Sequence, residues 1–170
     1  RLHPLRAGFP ICDTVGGLNA AFAILAALFH RERTGEGQMI DVALLDSIMP
    51  LMGWVAANLL IGGQEPLPMG NDNFTAAPSG SFETQDGHVN IAANKQEQWE
   101  AMAEVIGAPE LKTDPRFQER DLRKKNRQAL TPLVEEKLKR KPTAFWVEAL
   151  NARDVPSGDI LSLKAALAQP

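Results

Sequence analysis

The sequence predicts an α/β segment up to about Ile61, followed by a small α+β unit. Three observations carry this. The first sixty residues run helix, strand, helix, the rhythm of an α/β sheet. A long Gly/Pro/Asn/Ser-rich loop, Gly62 to Gly80, breaks that rhythm. A hairpin and several amphipathic helices follow it. With 170 residues and 44% hydrophobic content, the chain suffices for one packed domain, or for one small domain with part of another.

In order, "GFPICD" predicts a short strand end at Pro10 to Cys12. Leu18, Phe22, Leu25 and Phe29 then recur at helical spacing, with alanines on the other faces, predicting a helix from about Thr14 buried on more than one side. "RERTG" ends it, with basic residues in the last turn and Gly35 beyond. In "QMIDVAL", Ile40, Val42 and Leu44 alternate against Met39, Asp41 and Ala43, which predicts a strand. Helical character returns from Leu45 to about Ile61, with a kink or a new start at Pro50. After the long loop, "GSFET" and "HVNIAA" flank Asp86-Gly87, a strong hairpin signal, with Val89, Ile91 and Ala93 on one face. A helix from Gln96 to Ile106 turns Trp99, Met102, Ala103 and Ile106 inward. "TDPRF" makes a turn, and a charged helix runs to about Arg140. Thr143 then caps a helix carrying Phe145, Trp146 and Leu150. "VPSGDILS" is extended, and Leu163 to Ala168 starts a last helix.

Net charge is −3, and the basic runs at Arg120–Arg127 and Lys137–Lys141 alternate with acids at helical spacing. They predict solvated helix faces rather than a nucleic-acid surface. One cysteine, Cys12, leaves no intrachain disulfide and predicts a reducing, cytoplasmic setting. Its expected role is a small buried hydrophobe, since the neighbouring acid disfavours a thiolate. The apolar run Leu18–Phe29 is shorter than the roughly 20 residues a membrane span needs, so no membrane partner is expected. His3, His30 and His88 lie far apart, without ligand spacing, so no metal is expected, and His30 suits the negative end of its helix. The chain starts at Arg1 rather than Met, and its end falls inside the pattern "LSLKAALAQP". It is expected to be a piece of a longer protein.

Few residues have the chemistry of a site. "GEG" and "GG" are not phosphate fingerprints, and "AAPSG" is not a nucleophile elbow, which leaves Ser79 a weak nucleophile candidate. Asp41 and Asp46 suit caps or the surface. Asp13 is different. It precedes a long helix, so it is either an N-cap or a reacting carboxylate, and the two roles are compatible. Strand ends that meet helix N-termini are where α/β sheets hold ligands. Gly16 and Gly17 would allow a substrate or another backbone to approach closely.

These residues carry a resemblance. Pro10-Ile11, Asp13, Gly17, "ILAAL", "RTGEGQ" and "IDVALLD" resemble the family III CoA-transferases (CaiB/BaiF type), a group that includes formyl-CoA and carnitine CoA-transferases and the α-methylacyl-CoA racemases. "PSGSFETQDGHVNIAANKQEQW", "IGAPEL", "DPRF" and "NR" extend the resemblance over nearly the whole chain. It implies a Rossmann-like large domain built from both ends of the protein, with a small α+β domain between. Residues 1–62 would belong to the large domain, 63–158 to the small one, and 159–170 to the return. It further implies an interlocked homodimer and Asp13 as the catalytic aspartate. In the transferases this carboxylate attacks the thioester of an acyl-CoA and forms an aspartyl-acyl anhydride. CoA then passes to a carboxylic acid acceptor, with no cofactor beyond CoA itself.

Two branches remain open. Transferases carry a glycine-rich loop over the nucleophile, and the matching stretch here, Ala77, Pro78, Ser79 and Gly80, has one glycine. Residues 75–81 are expected to form a mobile loop. Racemases use the aspartate in acid–base epimerisation of a 2-methylacyl-CoA and carry an acid where this sequence has Gln96, beside Glu97. A third reading is a catalytically inert fragment that serves only structure or dimerisation.

Overall fold

The computed structural model describes residues 6–169, so His3 lies outside the described residues. The chain divides into two compact units, Arg1–Pro68 and Met69–Pro170. The division falls between Pro68 and Met69, inside the Gly62–Gly80 loop.

The first unit is helical. Helix α1 spans Ile11–Thr34, so Pro10 to Cys12 are its start and not a strand end. Pro10 occupies the N-cap and offers no side-chain acceptor. The helix ends at Gly35, which takes the left-handed conformation (φ 78°) and donates its N–H to Arg31 O at 2.8 Å. By length and composition the 24-residue α1 would suffice to cross a bilayer, as the core helices of soluble proteins also would. Helix α2 (Leu44–Ile48) runs into a 3-10 turn at Met49–Met52, where Pro50 sits. The chain then bends by 85° at Gly53 before α3 (Trp54–Gly62).

Two expectations fail in this unit. Residues 36–43 form no strand, because a strand needs a ladder partner and none pairs with them among the described residues. Nor is α1 buried on two sides. Gly16 is its buried position, while Phe22, Leu25 and Phe29 are each more than 60% exposed.

The second unit surrounds a three-stranded antiparallel sheet, ordered β1 (Ser79–Glu83), β2 (His88–Ala92), β3 (Ser157–Asp159). Strands β1 and β2 pair Ser79 with Ala92 and Glu83 with His88, the predicted hairpin. Val89 and Ile91 are fully buried and share one core with Trp99, Met102 and Ala103 of α4 (Gln96–Val105). The charged helix is two helices, α5 (Arg120–Lys125) and α6 (Arg127–Leu138), broken at Asn126. Leu130, Val134 and Leu138 of α6 are buried in the same core.

Helix α7 (Thr143–Asn151) starts with Thr143, so Thr143 is its first helical residue and not its cap. The capping acceptor comes from the hairpin turn instead. Asp86 Oδ1 accepts the Thr143 N–H at 2.8 Å and the Thr143 hydroxyl at 2.9 Å. Trp146 donates its indole N–H to Leu138 O at 2.7 Å, which joins α7 to the end of α6. Ser162 caps the final helix, α8 (Leu163–Leu167).

Candidate active site

Asp13 is the third residue of α1, exposed, in the turn where backbone N–H groups lack helical partners. The N-cap reading is therefore corrected: Asp13 stands inside the first turn, where the helix's positive end favours a negative charge. The Thr14 hydroxyl donates to Pro10 O at 3.0 Å and closes the turn's entrance. Cys12 is exposed beside Asp13, which overturns its reading as a buried hydrophobe. One residue in a helix's first turn turns outward as readily as inward, and flanking residue type does not decide which.

The two glycines differ. A Cβ on Gly16 would collide with the Leu44 side chain, so this glycine permits the close approach of α2. A Cβ on Gly17 would meet no atom within 4 Å. Gly17 therefore leaves an open notch one turn beyond Asp13. Further along α1, Ile24, Leu28, Arg31, Gln38 and Ile40 line a groove of about 200 Å³. Arg31 is the one charged side chain that faces it.

Ala77, Pro78, Ser79 and Gly80 lie in the second unit, and all four are buried. Ala76 and Ala77 are 1% and 3% exposed, so the mobile loop expected over residues 75–81 is a packed segment. Its fixed geometry has a visible cause. Arg127 donates to Asn73 O at 2.6 Å and Ala76 O at 3.1 Å, Arg120 to Thr75 O at 2.9 Å, and Arg123 to Ala77 O at 2.9 Å. Ala93 N–H reaches Pro78 O, and Asn73 N–H reaches Ser79 O. Ser79 is 4% exposed, in the first position of β1. Gly80 has φ 147° and forms a bridge with Asp72. A side chain there would strike the Asn71 carbonyl.

Sequence reasoning missed these arginines. It assigned Arg120–Arg127 to a solvated face, yet Arg123 is 0% exposed. Their i, i+3, i+7 spacing was the available signal, but it marks a shared face without saying which way that face turns. Gln96 is exposed, and its amide donates to Glu100 Oε1 at 2.9 Å and Gln118 O at 3.1 Å. Glu97, next to it, is also exposed. Among the described residues no three His, Cys, Asp or Glu side chains gather as a metal would require.

The profile of CoA-transferase family III matches residues 2–170, and the chain belongs to that family. It is 36% identical over 168 residues to an acetyl-CoA:oxalate CoA-transferase of Acetobacter aceti, covering 96% of this chain and 42% of that protein. It is 31% identical over 167 residues to a human succinyl-CoA:glutarate CoA-transferase, covering 98% of this chain and 38% of that one. A crystal structure of a CaiB/BaiF family protein from Brucella suis superposes with a TM-score of 0.85 at 34% identity, over 99% of this chain and 45% of that one. The structure of Rv3272 from Mycobacterium tuberculosis gives 0.84 at 30% identity, over 99% and 44%. The chain thus spans about two fifths of the length of the relatives it matches. The α/β class with a small α+β unit agrees with these structural relatives.

Proposed function

We propose that the whole protein transfers CoA from an acyl-CoA donor to a carboxylic acid acceptor, with Asp13 as the nucleophile. The observation that carries this is Asp13 itself: an exposed carboxylate in the first turn of a 24-residue helix, in a chain of CoA-transferase family III. The Asp13 carboxylate adds to the thioester carbonyl and expels CoA thiolate, leaving an aspartyl-acyl anhydride. The thiolate returns to the aspartyl carbonyl and releases the donor acid, leaving an aspartyl-CoA thioester. The acceptor carboxylate then displaces the thiolate, which attacks the acceptor's acyl carbon and restores Asp13. Thioester is exchanged for thioester, so the reaction is nearly thermoneutral, and covalent catalysis divides it into accessible steps. CoA is the co-substrate, and no other cofactor enters.

The relatives are named for oxalate and glutarate, so a dicarboxylic acid is the acceptor to test first. Gln96 supports transfer over epimerisation, because a carboxamide engaged with Glu100 and Gln118 exchanges no proton with a substrate. The working form is an interlocked homodimer, a reading supported by the uncovered apolar faces of α1, and the single cysteine suits a cytoplasmic setting. The 170-residue chain alone does not turn over in this reading, because the remaining part of the protein supplies most contacts to CoA.

The test uses the full-length protein. Asp13→Asn should abolish turnover while circular dichroism and thermal unfolding stay as in the parent. Hydroxylamine added after acyl-CoA should leave a modified Asp13 in a peptide map. Near-normal turnover of the Asn variant, or an adduct on another residue, refutes the assignment.

A further inference from the structure

We propose that Leu44 and Gly16 together position the Asp13 carboxylate: the leucine side chain seats on bare α1 backbone one turn after Asp13 and fixes where that turn stands. The proposal rests on the reading of Asp13 as the nucleophile, and all three residues lie in the first unit.

The start of α1 is held only locally. Its N-cap, Pro10, makes no side-chain cap bond, so the first turn lacks the tie that a capping Ser, Thr, Asp or Asn supplies. Ile11 N–H bonds to Phe9 O at 2.9 Å, and the Thr14 N–H and hydroxyl both reach Pro10 O at 3.0 Å. These bonds join residues 9 to 14 to one another, so the turn carries them with it wherever it moves. Asp13 is exposed, with exposed Cys12 and Thr14 on either side. The tie to the rest of the unit has to come from packing.

That packing is at Gly16, the buried residue of α1, where α2 lies against it. A Cβ on Gly16 would strike Leu44 Cδ2, with Leu44 Cγ at 3.7 Å and Leu44 Cα at 3.9 Å. The leucine methyl thus occupies the space that a side chain at position 16 would fill. Helical positions three apart share a face, and a helical side chain leans back over the turn before it. The occupied space therefore borders the turn that carries Asp13. Ser47, three residues along α2, is buried at 7% exposure, whereas Leu44 is 47% exposed. A leucine half in solvent adds little through burial. Its contact with Gly16 instead sets the separation of the two helices beside the nucleophile. Reacting atoms meet at about 3–3.5 Å, and a misplacement of about 1 Å can cost on the order of 100-fold in rate.

The test compares full-length Leu44→Ala, Gly16→Ala and the double variant with the parent, with succinyl-CoA as donor and glutarate as acceptor, and runs Asp13→Asn alongside. Amide hydrogen exchange at residues 14–17, thermal unfolding, kcat and the donor KM are measured. Leu44→Ala should melt within about 5 °C of the parent, exchange those amides faster, and lose about 10–100-fold in kcat with donor KM changed less than about 3-fold. Gly16→Ala crowds the contact instead of emptying it and should lose kcat to a similar extent, while the better helix propensity of alanine supports the fold. In the double variant the methyl at position 16 fills the space that Leu44 vacates, so kcat should return to within about 3-fold of the parent. A contact that serves stability alone would show no such recovery, and its kcat losses would follow the loss of folded protein. Parental exchange in Leu44→Ala, parental kcat in either single variant, or additive losses in the double variant overturns the proposal. If Leu44→Ala does not fold, Gly16→Ala decides by the same kcat and KM readings. An active Asp13→Asn sinks the nucleophile assignment and the proposal with it. An inactive Asp13→Asn beside parental Leu44 and Gly16 variants sinks the proposal alone.

Discussion

Replacing Gly80 with alanine should unfold the second unit at much milder conditions than the parent. Two costs add. The backbone at φ 147° lies where residues with a Cβ rarely sit, which costs about 1–3 kcal/mol. The new methyl would strike Asn71 O, with Asp72 Cα at 3.2 Å and Asn71 C at 3.3 Å behind it. These are backbone atoms tied by the Asp72–Gly80 bridge and by Asn73 N–H to Ser79 O at 2.9 Å, so they cannot swing aside as a side-chain end would. Forcing a methyl into such a site costs about 1–3 kcal/mol more. The total is about 4 kcal/mol, and for a unit of roughly 100 residues this lowers Tm by on the order of 15–30 °C. Urea unfolding followed through Trp99 and Trp146, which both lie in this unit, reads the change directly. A loss below about 1 kcal/mol would show that the bridge yields freely, and the account of Gly80 as a sterically required glycine would be wrong.

Gly17→Ala should act in the opposite direction and stabilise by about 0.5–1 kcal/mol, because Gly17 is helical and a methyl there meets open space. A destabilised variant in the same urea assay would contradict this. The Asp86 carboxyl is held below its usual value of 3.8, first by the Thr143 N–H and then by the Thr143 hydroxyl. Its folded form therefore prefers the charged state. The stability this adds is complete above the unfolded value and is lost as pH falls through the lower folded value. Asp86→Asn should accordingly flatten the decline of Tm below about pH 4, and a decline as steep as the parent's would count against Asp86 as a contributor.

The second unit was largely legible because its signals are local. Asp86-Gly87 marks its turn without help from distant residues, and Val89 and Ile91 alternate into the core as their spacing requires. Trp99, Met102 and Ala103 form a helical face that can bury in one direction only. The failures share a different cause. The alternation at Ile40 to Leu44 is the pattern of a strand, but a strand also needs a neighbour, which no local pattern supplies. Arg123 was misread because charge usually means exposure, and the rare buried guanidinium is recognised only from the carbonyls around it. Thr75 to Ser81 were read as mobile for their small side chains, yet the order of that segment comes from arginines some fifty positions later in the chain. The position of Asp13 in its helix was not legible: cap and first turn differ by three positions, within the uncertainty of a helix boundary read from sequence.

Strand β3 joins β2 only after α4, α5, α6 and α7 have been made, with Ala92 N–H bonded to Pro156 O where the two meet. During synthesis the β1–β2 hairpin can close early, because its turn is short. Its outer edge then stays open while more than sixty further residues emerge. An unpaired edge bearing Val89 and Ile91 is a template for a neighbouring nascent chain. The ribosome-bound protein thus passes through an interval of self-association hazard that ends when Ser157 arrives. Slow translation of the helical stretch would lengthen that interval, and a chaperone that shields a bare strand edge would act during it.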